Sequence, residues 1–419
     1  MPEHKPQARL TSSKRVPWVV VGAGVTGLAC ARRLAELHKD ADIILLDARQ
    51  VGQGASGRNS GFAVAVTYSS GGYKAEEADK YRRINRINQA GLEILRQQVV
   101  ALEIDCQWQE DGFHYLGADQ IAIGECDLYQ DFLNRLEIEH DVLGHDAICH
   151  GLGTRLYQKG VYLPQGVLLQ PAALVRGLAK QLPSNVALYE QSPVLQIDND
   201  SPMTLRLENC EIKADNIILA TNYEASRLGY LNRYLIGSTL SGSFTRVLTT
   251  EEMGSLGSLQ HWGVLSLHDG GATVRLTPDR RICIRNTAEY HGGALLSERQ
   301  LTERQAIHRQ GFENRFPQLA HVPFEYAWSG VEGISRNFTN FFGKQGEQLY
   351  YAGGYNGSGV SRGTAFGTAL AEFASGQTSS LVRDCLASAP GSWIPPRPLL
   401  DIGAYFSIRS RFAGVGLDR

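Results

Sequence analysis

The sequence predicts an α/β protein: a discontinuous Rossmann-like domain interrupted by an inserted α+β domain built on an antiparallel sheet. Three observations lead there. A short run rich in β-branched residues, Trp18 to Val21, is followed at once by Gly22-Ala23-Gly24-Val25-Thr26-Gly27 and then by residues at helical spacing. From about residue 236 to 335 the apolar pattern changes from continuous runs to alternation, as antiparallel strands with one solvated face require. After Leu349-Tyr350-Tyr351-Ala352 the first texture returns, with a glycine-rich turn and an alanine-rich helix. The first domain is therefore assigned to residues 16–100, 155–235 and 340–385, and the inserted domain to 101–154 and 236–339. Residues 1–15 read as a polar, frayed N-terminal extension, and 386–419 as a separate C-terminal tail.

Element by element, Trp18 to Val21 reads as a buried parallel strand and Leu28 to His38 as a helix, with Leu28, Ala31, Leu34 and Ala35 on one face. Ile43 to Leu46 is a second buried strand ending at Asp47, which closes a βαβ unit. Residues 75–105 read as a long helix through Tyr81, Ile84, Ile87, Leu92 and Leu95. Residues 106–165 mix short strands and helices. Pro171 to Leu182 is a helix with proline suited to its first turn. Val186–Glu190, Val194–Asp198, Leu205–Leu207 and Ile217–Ala220 read as strands. Ala272–Leu276 and Arg281–Arg285 form a hairpin across Thr277-Pro278-Asp279-Arg280, and the alanine-rich helix runs to about Ser375.

Composition narrows the function. The 419 residues suffice for two or three domains, and 43% hydrophobic with 20% charged residues is ordinary for a globular chain. A formal charge of −2 and the lack of a basic stripe argue against nucleic acid as a partner. Seven cysteines without a C-x-x-C pattern support neither a disulfide framework nor a zinc ribbon, so a reducing, cytoplasmic setting fits. No apolar run is long enough to span a bilayer. Val16 to Ala31 has the look of a signal segment, but its glycine spacing fits a turn between strand and helix better. His140, His145 and His150 recur every five residues, which is not a helical face, and no metal site is expected. Glycine is in excess, and residues 22–61 hold seven of the 45 while 353–367 hold six.

Those two clusters carry the chemistry. In Gly22-x-Gly24-x-x-Gly27, Gly22 permits the tight turn, Gly24 lets backbone approach a pyrophosphate, and Gly27 lets helix pack on strand. The helix N-terminus offers its free N–H groups and positive dipole end to the phosphates. Asp47, 20 residues beyond Gly27, can accept ribose hydroxyls and disfavours the 2′-phosphate of NADP. A second glycine-rich stretch, Gly52 to Phe62, separates FAD from NAD: an NAD domain has no use for it, whereas a flavin lies further along that crevice. Ala220-Thr221-Asn222 ends a third strand, and Tyr351 to Val360 opens the alanine-rich helix, whose N-terminus suits the pyrimidine end of a flavin. Gly363 and Gly367 further along serve close helix packing.

The arrangement resembles the D-amino-acid oxidase, or glycine/sarcosine oxidase-like, superfamily of FAD proteins. Within it the bacterial gamma-glutamylputrescine oxidoreductase-like branch is the most similar. The stretches concerned are VVVGAGVTGLACARRLA, ILLDARQVGQGASGRNSGF, VLLQPAALVRGLAKQL, IILATN, YAWSGVEGISRNFTNFFG, YAGGYNGSGV and WIPPRPL, which run from about residue 16 to beyond 400. The resemblance implies FAD held by Gly22, Gly24, Val25, Thr26, Gly27, Asp47, Ala48 and Arg49. It implies flavin contacts from Gly54, Ala55, Ser56, Arg58, Asn59, Ser60, Gly61 and Phe62, with Val194 over the adenine. Ala220, Thr221 and Gly354 would also hold the cofactor, and Asn356, Gly357, Ser358, Gly359 and Val360 would border the ring. The chemistry implied is transfer of a hydride equivalent from a carbon bearing an amine to the flavin, with hydrolysis of the imine to an aldehyde or keto acid. In such sites the protein supplies orientation and electrostatics.

Two stretches depart from the family pattern. Ile284-Arg285-Asn286 stands where a hydrophobic–Gly–Gly strand end is usual, and Ser335 to Asn340 replaces Thr-x-Asp-x-x-Pro. Both add polar or cationic groups, which suits an anionic group on the substrate. Arg275, Trp328 and Tyr355 are the candidate substrate-orienting residues, with Arg285 and Arg336 as further cations. Phe244, Trp262 and Tyr355 are candidates for an aromatic cage around an amine. The expectation is an FAD-dependent amine or amino-acid oxidase or dehydrogenase with non-covalent FAD. Its substrate is a small amine (an amino acid, polyamine derivative or aminophosphonate) and its electrons pass to oxygen or another acceptor. The alternatives are a flavoprotein acting on 2-hydroxy acids, or an auxiliary flavoprotein subunit; an NAD-only dehydrogenase is more distant.

Overall fold

A computed structural model describes residues 4–68, 71–199, 201–268 and 270–419. The chain opens with β1 (Lys14–Val21), α1 (Val25–Leu37) and β2 (Ile43–Leu46), then β3 (Phe62–Ala63) and the long α2 (Ala78–Ala101). β4 (Phe113–Gly117), α3 (Gln120–Arg135), β5 (Asp141–Gly144), α4 (His145–Leu152), β6 (Lys159–Leu163) and β7 (Val167–Leu168) come next. After them stand α5 (Pro171–Lys180), β8 (Val186–Tyr189), β9 (Gln196–Asp198), β10 (Met203–Arg206) and β11 (Glu211–Leu219). β12 (Leu235–Thr245), α6 (Thr250–Gly254), β13 (Trp262–Ser266), β14 (Thr273–Leu276), β15 (Ile282–Tyr290) and α7 (Glu298–Arg315) lead to β16 (Phe324–Ser335). The chain closes with β17 (Phe341–Gln345), β18 (Leu349–Gly353), α8 (Gly359–Ala374), α9 (Ser380–Leu386) and α10 (Leu399–Ala413).

One sheet runs in the order β17-β18-β11-β1-β2-β8, with β9 and β10 attached beyond β11. β18, β11, β1, β2 and β8 are mutually parallel, so Val21, Leu46, Leu219 and Gly353 end along one edge. β1 is the first strand in the chain yet lies in mid-sheet, and connections leave on both sides of it. This is the switch point at which open α/β sheets form a crevice. Both faces are covered, and Val19, Val20 and Leu45 have no exposed surface. Each such aliphatic side chain contributes roughly 1.5–3 kcal/mol on burial. The predicted face of α1 (Leu28, Ala31, Leu34, Ala35) is buried. α8 packs against it so closely that a Cβ on Gly367 would lie 2.1 Å from Thr26 O, and one on Gly363 would lie 2.8 Å from Thr26 Oγ1.

The second sheet runs β16-β12-β15-β14-β13-β4-β6-β5 and is antiparallel except where β13 meets β4. Its far face is backed by α7, whose Ser297 and Gln300 form a capping box. The β14–β15 hairpin forms where alternation predicts it, but β15 continues to Tyr290 because β12 carries the pairing beyond the hairpin.

Three boundaries differ from the sequence reading. β6 belongs to the second sheet, paired with β4 and β5, so the residues from 155 to 163 leave the first domain. The N-terminal extension is anchored rather than frayed, apart from residues 1–3, which lie outside the described residues. Leu10 is buried and its N–H donates to Ser192 Oγ (3.0 Å), while β1 begins at Lys14. The tail is not separate: α10 packs against β15, and Val415 and Asp418 beyond it are fully buried. Among the described residues no helix is long and apolar enough to cross a membrane.

Candidate active site

A single cavity of about 1180 Å³ begins at the C-terminal edge of the parallel sheet and extends to the inner face of the antiparallel sheet. Small-molecule pockets commonly run to about 1,000 Å³, so this one is large enough for an extended ligand. At the first end Gly22 has a φ of 102°, and a Cβ there would lie 2.8 Å from Ala220 O. A Cβ on Gly27 would lie 1.7 Å from Gly22 O. Gly24 is the N-cap of α1 and brings no side chain to its N–H groups, though Ser56 Oγ accepts from Val25 N at 3.1 Å. Asp47 accepts from Ala23 N (3.0 Å) and Arg49 N (2.8 Å), which holds its carboxylate at the strand end. Burial lifts its pKa to about 6, with the nearby Glu190 charge adding to the rise and the two backbone donors opposing it.

The residues present fit FAD. Thr221 Oγ1, in the cavity wall, is buried without a protein partner, and so awaits a ligand donor or acceptor. Neither α1 nor α8 has a capping side chain, which leaves N–H groups at two helix starts on the cavity. Ala48, Arg49, Val194, Ala220 and Thr221 line the nucleotide end. Gly54, Ala55, Ser56, Arg58, Asn59, Ser60 and Phe62 line its continuation, opposite Asn356, Gly357, Ser358, Gly359 and Val360. Among the predicted cofactor residues, Gly27, Gly61 and Gly354 stand behind the wall and shape it. Gly61 has a φ of 82° and Gly354 a φ of 71°, and Gly354 N donates to Asn222 Oδ1 at 2.8 Å.

Several predicted contacts are loop braces. Asn59 Nδ2 donates to Ser56 O (2.8 Å) while its Oδ1 accepts from Gly61 N (2.9 Å). Asn356 Oδ1 accepts from Ser335 N (2.9 Å) and its Nδ2 donates to Gly354 O (2.7 Å). Arg58 donates to Gln53 O and Ser329 O, which ties the glycine-rich loop to β16. Burial lowers its pKa, and the nearby Arg49 charge adds to the drop.

At the other end, Trp328 lines the cavity with its ring against Gly242 and its Nε1 donating to Arg58 O (3.1 Å). Tyr355 lines it too, with its hydroxyl tied to Thr26. Arg285 reaches the cavity and donates to Thr273 Oγ1. Arg275 does not: it is buried and its guanidinium donates to Leu169 O and Gly61 O, so it fastens β14 to the glycine-rich loop rather than clamping an anion. Register does not separate the two arginines. Thr273 pairs with Arg285 and stands two residues before Arg275, so both share a face, and Arg275 is kept from the cavity because the carbonyls of Gly61 and Leu169 cover its end of β14. Arg336 lies outside as well, donating to Trp393 O in the tail (3.3 Å). The proposed aromatic cage is not assembled. Trp262 stacks on Phe316 in the second core (5.9 Å), and Phe244 stacks behind on Trp328 (5.0 Å).

Sequence reasoning missed Glu332, Tyr68, Tyr115, His268 and Phe412, all in the wall. Glu332 was within reach. It succeeds Trp328 and Gly330 at strand period two, so one inward-facing residue on β16 implies the others. Glu190 was missed too. It is fully buried and accepts from the N–H of Val51 and of Gln7 and pairs with His4 Nε2 (2.7 Å) beneath the nucleotide end.

Residues 17–373 match the family described as FAD dependent oxidoreductase, DAO. The chain is 28% identical over 409 residues to the gamma-glutamylputrescine oxidoreductase of Escherichia coli (strain K12), covering 94% of this chain and 92% of that protein. It is 26% identical over 380 residues to a probable oxidoreductase, OrdL, of Haemophilus influenzae, covering 87% of this chain and 84% of that one. Among solved structures, glycine oxidase from Geobacillus kaustophilus superposes with a TM-score of 0.70 at 19% identity, covering 87% of this chain and 96% of its own. L-proline dehydrogenase from P. horikoshii gives 0.71 at 16% identity, covering 88% and 95%. These two likenesses concern the fold. With the sequence match spanning most of its length and a cavity suited to the cofactor, the chain belongs to the DAO family of FAD-dependent oxidoreductases.

Proposed function

We propose that this protein oxidises a primary or secondary amine that also carries an anionic group, such as an amino acid, a polyamine derivative or an aminophosphonate. The product is an imine, which water hydrolyses to an aldehyde or keto acid. FAD, when bound, supplies the acceptor for the hydride. The chain supplies orientation: α1 and Asp47 hold the nucleotide, Ser56 and Arg58 fix the loop along the flavin, and the antiparallel sheet presents the substrate.

Glu332 carries the reading. Its carboxylate lines the cavity, 3.8 Å from where a Cβ on Gly357 would sit, and so attracts an ammonium group close to the flavin end. Arg285 lies on the same sheet face, since Arg285 and Trp328 both pair with Gly242 and Glu332 is four residues beyond Trp328. The two Cα atoms are then roughly 16 Å apart by strand geometry. A substrate with an amine and a separate anion spans them. A 2-hydroxy acid has no cation for Glu332. The name of the Escherichia coli relative, an oxidoreductase of an amine compound, supports the same class.

The FAD is non-covalent on this reading, so acid precipitation should leave flavin in the supernatant. The test of function is anaerobic mixing of holoprotein with a panel of amines and of 2-hydroxy acids. Amines should bleach the flavin band, and Glu332→Gln should raise the amine concentration needed by about tenfold, as for a lost charge-assisted contact. Bleaching by hydroxy acids alone would overturn the proposal.

A further inference from the structure

The family match ends at residue 373, and the C-terminal segment beyond it reaches the active site from outside the matched region. The stretch after α9 is held along its length. Thr339 Oγ1 donates to Ala389 O (2.7 Å), Asn337 Nδ2 donates to Pro390 O (2.9 Å), and Ile394 N donates to Arg233 O (2.7 Å). Arg397 then donates to Tyr290 Oη at the end of β15 (3.2 Å). α10 packs against β15, whose residues beyond Arg285 have lost β14 as a partner. The far end is buried. Asp418 accepts from Ala118 N on its carboxylate (3.1 Å) and from Ala272 N on its carbonyl (2.8 Å). The fully buried Arg315, itself fixed to Tyr157 Oη (2.8 Å), donates to Asp418 O (2.7 Å) and Arg419 O (2.9 Å).

Between these anchors, Phe412 on the last turn of α10 reaches the cavity and joins its wall, in the company of Arg285, His268 and Thr273. Its ring is backed by the Arg419 guanidinium carbon, 5.1 Å from the ring centre. With Arg419 over one face, the half-buried ring stands in the path of an elongated substrate lying on the antiparallel sheet.

We propose that Phe412, delivered by the C-terminal segment, is a specificity-determining residue that sets the length of substrate the site admits. This rests on the reading that an amine and FAD share the cavity. The test uses holoprotein mixed anaerobically with N-alkylglycines from N-methylglycine to N-octylglycine, which carry both the amine and the anion and grow only in apolar length, with the half-saturating concentration and the limiting rate of flavin bleaching measured separately. In the wild type, half-saturation should fall with each methylene up to a length limit and then rise. In Phe412→Ala the fall should continue to longer chains, at about fourfold per added methylene. In Phe412→Trp it should stop earlier. The same limit in all three proteins overturns the proposal. Bleaching by none of the amines in the wild type overturns the functional reading, and this proposal with it.

Discussion

The hydroxyl of Thr26, in the first turn of α1, donates to Tyr355 Oη at 2.9 Å, across 329 positions of sequence. This bond joins the two glycine clusters, one at the start of the chain and one near its end, behind the wall of the cofactor cavity. Burial pushes the phenol well above its usual range, so it stays neutral. Tyr355→Phe should leave the Thr26 hydroxyl buried without an acceptor and cost about 1–2 kcal/mol. Urea denaturation of the FAD-free protein measures it, and an unchanged midpoint and slope would contradict the role assigned to the bond.

Gly24→Val tests the cofactor end. A Cβ at this position would lie 2.7 Å from Ser56 Oγ and beside the N–H groups left for the pyrophosphate. The variant should fold yet purify without FAD. A yellow protein of normal flavin content would show that the pyrophosphate does not lie on this turn.

Asp47 makes FAD affinity depend on pH. Its pKa of about 6 means that the carboxylate, the better acceptor for ribose hydroxyls, forms only as the pH rises past that value. Affinity should therefore be about five- to tenfold weaker at pH 5 than at pH 8, the difference between a charged and a neutral hydrogen bond. In the FAD-free protein the sign reverses. A raised carboxyl pKa means that the folded state holds the extra proton, so stability is lost as pH rises from about 4 to about 6. Fluorescence titration of the apoprotein with FAD would decide; Asp47→Asn with a wild-type pH profile would exclude this residue as the cause.

His308 makes the inserted domain acid-sensitive. Its ring is fully buried between Ser243 Oγ (2.9 Å) and Ser241 Oγ (3.2 Å), behind the substrate-facing sheet. Burial first, and the Arg304 charge second, depress its pKa to about 4. Between the ordinary imidazole value and that one the unfolded chain holds more protons, so stability is present at neutral pH and falls on acidification. The His308 contribution to that loss between pH 7 and pH 5 is about 2 kcal/mol. Denaturation of wild type and His308→Gln at both pH values checks it, since the variant should lack that part of the slope.

Parts of the fold were legible for particular reasons. Val19, Val20 and Ile43 to Leu46 are apolar on both faces because both faces are covered, and such a run has few readings beside a central parallel strand. Glycine was legible where backbone approaches backbone, as at Gly22, Gly27 and Gly367. The domain boundary at 155 misplaced β6, because a short strand reveals nothing of which sheet it joins until its partner β4 is placed. Leu10 in the supposed frayed terminus is one apolar residue among polar ones, and its burial depends on β10 and β11 far along the chain.

The substrate end was less legible. Arg275 and Arg285 both stand on strands of one hairpin, and one sequence does not state which face each presents. The pairing puts both on one face, and what covers each then decides: the carbonyls of Gly61 and Leu169 take up Arg275, whereas Arg285 lines the cavity. The sequence by itself determined the nucleotide crevice, since a βαβ turn is local chemistry within about 30 residues. The far wall of the cavity was settled only by the folded chain, because Glu332, Arg285 and Phe412 come from separate strands and a terminal helix. Strand register and long-range packing, not local propensity, bring them together.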